Sequence, residues 1–107
     1  VDTSIELFGE KYHHPILMAP IGVQALAHRD KETGLAEACA EVDVPYILST
    51  ASSSSFEDVA ASCGRGAKWY QLYWPNDNDI TVSLLKRAKA NGYKALVVTL
   101  DTWTLAW

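Results

Sequence analysis

Four short runs of apolar, β-branched and aromatic residues punctuate the chain, at positions 16–20, 46–50, 69–74 and 95–101. Each is continuous rather than alternating, the pattern of a strand buried on both faces. Between them lie three stretches with helical spacing. Leu35, Ala38, Cys39 and Val42 form the first i, i+3, i+4, i+7 stripe, Phe56, Val59, Ala60 and Cys63 the second, and Thr81, Leu84, Leu85 and Ala88 the third. Each stripe has a polar start. Asp30 and Glu32 stand near the first, where carboxylates suit the helix dipole. Ser55 precedes Glu57 and Asp58 at the second, and Asp77, Asn78 and Asp79 precede the third. Lys86, Arg87 and Lys89 followed by Asn91-Gly92 mark the end of the third helix. The order β-α-β-α-β-α-β predicts a parallel sheet with right-handed crossovers. Ahead of it, residues 3–7 and 11–12 flank Gly9-Glu10 and predict a short β-hairpin.

The runs begin at residues 16, 46, 69 and 95, intervals of 30, 23 and 26. A closed (β/α)8 barrel repeats about every 31 residues, and a doubly wound sheet fits the same period. The polar residues at the strand ends help to choose. Parallel α/β proteins build ligand sites at the carboxyl ends of their strands. Here the first run ends Ala19-Pro20-Ile21-Gly22 and the second Ser49-Thr50. The third carries Gln71 and Tyr73, and the fourth Thr99 and Asp101. Within each of the last two pairs the residues are two apart and face the same side of a strand. Four consecutive strands with polar ends suggest one broad site. The Gly-rich first turn of a dinucleotide fold and the phosphate loop are both missing, since Pro20-Ile21-Gly22-Val23-Gln24 follows the first run. Gly64-Arg65-Gly66 lies after a helix rather than before one and reads as a turn.

Each polar residue also has a structural reading. Ser49 and Thr50 can close a strand, Gln71 can be a satisfied core amide, Tyr73 can lie in the core or on the rim, and Asp101 can cap the next loop. A buried amide without partners costs about 1–3 kcal/mol. His13, His14 and His28 read as loop residues, and Cys39 and Cys63 as core thiols on apolar stripes. No ligand spacing points to a metal.

Composition narrows the partners. The 107 residues carry nine Lys and Arg against 13 Asp and Glu, with a formal net charge of −4. This acidic balance without a basic run argues against nucleic acid and anionic membrane as partners. No run approaches the ~18–20 apolar residues of a membrane span. Val-Asp-Thr-Ser at the start is not a secretory signal, and two cysteines fit a reducing, cytoplasmic setting. A peroxisomal or mitochondrial address stays open.

Five segments in this order and spacing carry a family pattern: residues 14–22 (HPILMAPIG), 48–50 (LST), 54–60 (SSFEDVA), 69–73 (WYQLY) and 98–102 (VTLDT). Together they resemble the FMN-dependent α-hydroxy acid oxidases and dehydrogenases, a family that includes glycolate oxidase, lactate oxidase and lactate 2-monooxygenase. The resemblance covers essentially the whole chain. It implies an α/β fold, namely the first half (strands one to four) of a (β/α)8 barrel preceded by the hairpin, with FMN over the carboxyl ends of the strands. It implies that Pro20, Ile21 and Gly22 approach the flavin ring through backbone groups, as a glycine permits. It implies further that Ser49, Gln71 and Thr99 hydrogen-bond the polar edge of the ring and tune its electron affinity. By the same resemblance Tyr73 contacts the substrate, and Asp101 orients a catalytic histidine outside this chain. The implied reaction is oxidation of the CH–OH of a small L-2-hydroxy acid such as lactate. Assemblies in the family are often homo-oligomeric.

Many family members continue Pro-x-Leu-Gly after the Asp-Thr pair, whereas this chain reads Trp103-Thr104-Leu105-Ala106-Trp107, most similar to the lactate 2-monooxygenase branch. Trp103 and Trp107 are expected to cover a ligand or a core gap. The chain is expected to be a fragment, with N- and C-terminal parts missing. The base, the anion clamp and the phosphate loops would then lie elsewhere, so the isolated 107 residues are expected to be inactive. With two open sheet edges they would be marginal, sticky or dimeric. The alternatives are another (β/α)8 FMN or phosphate enzyme and a non-catalytic truncated half-barrel.

Overall fold

A computed structural model describes residues 1–102. The expected cover by Trp103 and Trp107, and the variant segment that begins at Trp103, lie outside the described residues. The chain opens with a hairpin, β1 (Ile5–Leu7) and β2 (Glu10–Tyr12), antiparallel with Leu7 opposite Glu10. The two-residue turn is Phe8-Gly9, not the expected Gly9-Glu10. Both turn residues have positive φ, 53° and 78°. That conformation matches the right-handed twist of the flanking strands and selects glycine at the second position.

Then follow α1 (Lys31–Glu41), β3 (Tyr46–Leu48), α2 (Phe56–Cys63), β4 (Lys68–Tyr73), α3 (Asn78–Ala90) and β5 (Leu96–Thr99). β3, β4 and β5 form a parallel sheet in chain order, with Tyr46 opposite Lys68 and Tyr70 opposite Leu96. The strand expected over 16–20 is reduced to one parallel bridge, Met18 to Tyr46, with the Met18 amide donating to the Pro45 carbonyl at 2.9 Å. Pro15 and Pro20 bracket this segment and have no N–H for a ladder, so a single bridge survives at an edge. A one-turn 3-10 helix, Gln24–Leu26, continues from it.

Helix caps follow the sequence closely at two starts. Ser55 Oγ accepts from the Asp58 amide, and Asp77 accepts from the Asp79 amide at 2.8 Å. The first helix departs from its expected stripe. Its buried residues are Glu32, Ala36 and Cys39, while Val42 and Ala38 are exposed. The helix is rotated so that a carboxylate, not Val42, faces inward.

The two faces of the sheet differ. Tyr46, Leu48, Tyr70 and Leu72 pack against residues from all three helices, including Ala36, Cys39, Phe56, Val59, Cys63 and Ala88. All three helices therefore lie on one face, and strand order runs without reversal. The opposite face is apolar at one end, where Ile47, Trp69 and Val97 meet Tyr12, Ile5 and Leu7 of the hairpin. Phe8 and Tyr12 pack edge-on against the Trp69 ring, at centroid distances of 5.5 and 6.3 Å. No helix among the described residues is long and apolar enough to cross a membrane.

Candidate functional site

Side chains alternate along a strand, so the face that carries Ile47, Trp69 and Val97 continues two residues on with Ser49, Gln71 and Thr99. The hairpin closes the apolar end of this face, and the polar groups occupy the other. Gln71 is 2% exposed and Ser49 is 5% exposed.

Hydrogen bonds link these groups. The Gln71 Nε2 donates to Thr99 Oγ1 at 2.9 Å, and its Oε1 accepts from the Thr50 amide at 3.0 Å. Thr50 Oγ1 donates to the Gln71 carbonyl at 2.6 Å and accepts from the Tyr73 amide at 3.1 Å. The Tyr70 hydroxyl lies 3.1 Å from the same oxygen. With the Thr50 proton committed to Gln71, Tyr70 is the donor there. Ser49 Oγ accepts from the Ala51 amide at 3.1 Å. Gly22 meets the same corner: a Cβ built on it would stand 2.9 Å from Ala51 Cβ and 3.6 Å from Ser49 Oγ. The loop after Met18 thus presses its backbone against the end of β3 where a side chain would intrude.

Gly22 and Ser49 meet at one corner, Gln71 and Thr99 are hydrogen-bonded to each other, and the four lie along one edge of the sheet. Pro20 is half-buried beside Gly22, and Ile21 is 46% exposed. Tyr73 stands opposite Thr99 in the β4–β5 register, 41% exposed, and Asp101 follows two residues after Thr99, exposed. The donor inventory suits the polar rim of a flat heteroaromatic ring. Gln71 Nε2 has two hydrogens and uses one on Thr99. The Thr99 hydroxyl accepts from Gln71 and keeps its own proton, as does the Ser49 hydroxyl after accepting from Ala51. Among the described residues, three hydrogens at the ends of three adjacent strands have no partner and can bond a ligand's oxygens and nitrogens, and the glycine corner leaves room for its plane.

Two groups escaped the sequence reading as parts of this site. Glu32, expected near a helix start as a carboxylate that suits the dipole, is fully buried. Burial pushes its pKa up, but bonds from Ser53, Ser54 and Gln24 outweigh that and hold it at about 2. Gln24 is 8% exposed, with its Nε2 near the Ile21 carbonyl and the Tyr46 hydroxyl. Only the serine run at 52–55, read as a loop, hinted at a partner for a carboxylate. Cys39 and Cys63 are buried free thiols whose pKa values are raised by burial. His13 and His28 lie on the surface, 3.6 and 3.5 Å from Asp43 and Asp30.

Comparison with known proteins shows the family. The profile of the FMN-dependent dehydrogenases matches residues 1–107. An FMN-dependent alpha-hydroxy acid dehydrogenase of Penicillium citrinum is 62% identical over 97% of this chain and 26% of its own length. An L-lactate oxidase of Lysinibacillus sphaericus is 41% identical over all of this chain and 28% of its own length. A crystal structure of mandelate oxidase with (S)-2-phenylpropionate superposes with a TM-score of 0.88 at 38% identity, over 95% of this chain and 30% of that one. The fold is that of the matching part of this FMN-dependent oxidase. The chain belongs to the FMN-dependent dehydrogenase family, and it spans about a quarter of the length of the curated relatives it matches.

Proposed function

We propose that this chain supplies strands one to four of a (β/α)8 barrel, with the hairpin closing its floor, in an enzyme that oxidises a small L-2-hydroxy acid such as lactate. Support for the barrel comes from the helices on one face and the unreversed strand order, since a doubly wound sheet carries helices on both faces. In this reading residues 1–107 are part of one FMN-dependent hydroxy acid dehydrogenase domain.

When bound, FMN supplies the two-electron acceptor for the substrate's α-carbon hydrogen. Ser49, Gln71 and Thr99 donate their free hydrogens to the polar edge of the ring. The backbone of Pro20, Ile21 and Gly22 would approach the ring, where the glycine leaves room for close contact. The Tyr73 hydroxyl holds the substrate's carboxylate or hydroxyl. Asp101 orients a histidine contributed by a segment outside this chain and stabilises the imidazolium formed as that base takes the hydroxyl proton.

The observation that carries the proposal is the shared edge of Gly22, Ser49, Gln71 and Thr99, with three donor hydrogens that have no partner among the described residues. The test is a visible spectrum of the intact protein, followed by anaerobic addition of lactate, glycolate or mandelate. A yellow protein bleached fastest by lactate is expected. A colourless protein that does not take up added FMN overturns the cofactor reading, and a yellow protein indifferent to all three acids overturns the reaction.

A further inference from the structure

The most buried charge in the described chain lies outside the proposed contacts with flavin and substrate. Glu32 sits at the second residue of α1 with no exposed surface, and none of the ion pairs among the described residues includes it. Its two oxygens are instead filled by neutral donors from two loops. Oε1 accepts from the Gln24 amide at 3.0 Å, the Ser53 amide at 2.8 Å and Ser53 Oγ at 2.8 Å. Oε2 accepts from Ser54 Oγ at 2.7 Å, and Ser53 Oγ lies 2.8 Å from it as well. Burying a carboxylate for stability alone is a poor solution, because desolvation opposes it and an apolar side chain would pack without that cost. The bonds do something an apolar group cannot, which is to fix two backbone segments against each other.

Those segments are the ones that carry the glycine corner. One follows Met18 and includes Ile21, Gly22 and Gln24. The other follows β3 and runs from Ser49 to Ser54. They also join directly, with the Val23 amide on the Ala51 carbonyl at 2.9 Å and the Ala25 amide on Ser53 Oγ at 3.1 Å. Gln24 passes the constraint on, since its Nε2 donates to the Ile21 carbonyl at 3.1 Å. Val23 is held at φ 48°, ψ 46°, a left-handed conformation that a β-branched residue avoids unless its neighbours impose it.

We infer that Glu32 is a positioning residue: its carboxylate ties the loop after Met18 to the loop after β3 and so sets where Ile21, Gly22 and Ser49 meet the flavin ring. This rests on the proposed FMN site, which Glu32 itself does not touch. The test uses Glu32→Gln in the intact protein, with amide hydrogen exchange residue by residue and FMN affinity by fluorescence titration. Gln can keep an oxygen for the Gln24 and Ser53 amides but removes the charge that strengthens those bonds, and it sets an NH2 where Oε2 accepts from Ser54. Exchange at the Gln24 and Ser53 amides should rise by roughly tenfold or more while the β4 amides keep their protection. FMN affinity should fall by roughly tenfold, the scale of one charge-assisted hydrogen bond, with a shifted flavin spectrum. Faster exchange at Gln24 and Ser53 with unchanged affinity and spectrum overturns the positioning role and leaves the FMN site standing. Wild-type protein that takes up no FMN overturns the site and, with it, this role. If Glu32→Gln does not fold, Ser54→Ala removes a single bond to Oε2 and is read in the same way.

Discussion

Thr50 and Gln71 grip each other twice. The Thr50 amide donates to the Gln71 side chain at 3.0 Å, and the Thr50 hydroxyl donates to the Gln71 backbone carbonyl at 2.6 Å. The pair welds the end of β3 to the middle of β4, and it fixes the amide that reaches Thr99 on β5. One strand end therefore depends on the next.

Gln71→Leu should cost about 1–3 kcal/mol of stability, because it leaves the Thr50 amide without its partner. Thr50→Val keeps the shape, removes three contacts to one oxygen and should cost a similar amount, whereas Thr50→Ser should be much milder. Urea unfolding of the three variants ranks them, and a Gln71→Leu midpoint equal to that of wild type would show the bond to be dispensable.

Gly22→Ala should destabilise by about 1–3 kcal/mol through overpacking, since its Cβ would stand 2.9 Å from that of Ala51. Removing the obstacle should restore part of the loss, so the double variant Gly22→Ala/Ala51→Gly is expected to be more stable than the sum of the singles. A double-mutant cycle measures this coupling, expected at roughly 1 kcal/mol. Strict additivity would mean that the two residues do not collide.

Val23→Asn should raise stability by about 0.5–1 kcal/mol. Val23 is 47% exposed and held at positive φ, so little packing is lost and a residue that tolerates the left-handed region replaces one that does not. A lower melting temperature for Val23→Asn would show that its packing outweighs the backbone strain.

Acid should unfold the protein partly through Glu32. Its folded pKa of about 2 lies below the ordinary value of 4.5. The stabilisation is fully present above about 4.5 and is lost as pH falls toward 2. Stability measured between these limits should fall less steeply in Glu32→Gln than in wild type. Glu57 is held equally low by the Arg87 guanidinium, 2.8 Å away, but that pair is half exposed. Added salt should therefore erase the effect of Glu57→Gln and leave that of Glu32→Gln intact.

The features legible in sequence are those set by neighbours along the chain. Ser55 and Asp77 announce helix starts because a cap acts within three residues. The α2 and α3 stripes are read correctly because Phe56, Val59, Cys63 and Ala88 pack into the core against the sheet and Thr81 is buried, as their spacing requires. Gln71 and Thr99 stand out because a polar side chain in an apolar run must find a partner. The segment at 16–20 misleads because its composition is that of a strand, while Pro15 and Pro20 limit it to one bridge.

What the sequence alone determined was the alternation of strands and helices, the polar ends of the strands and the family pattern they make, because each is written in residues close together or in a fixed order. Only the tertiary structure decided that Glu32 is buried and that the Gly22 backbone meets Ala51 beside Ser49. Glu32 finds its donors at residues 24, 53 and 54, brought together when α1 packs beside two loops. No local pattern distinguishes such a carboxylate from one left in water at a helix start. Its burial follows from the sum of packing around it, which no short stretch of sequence contains.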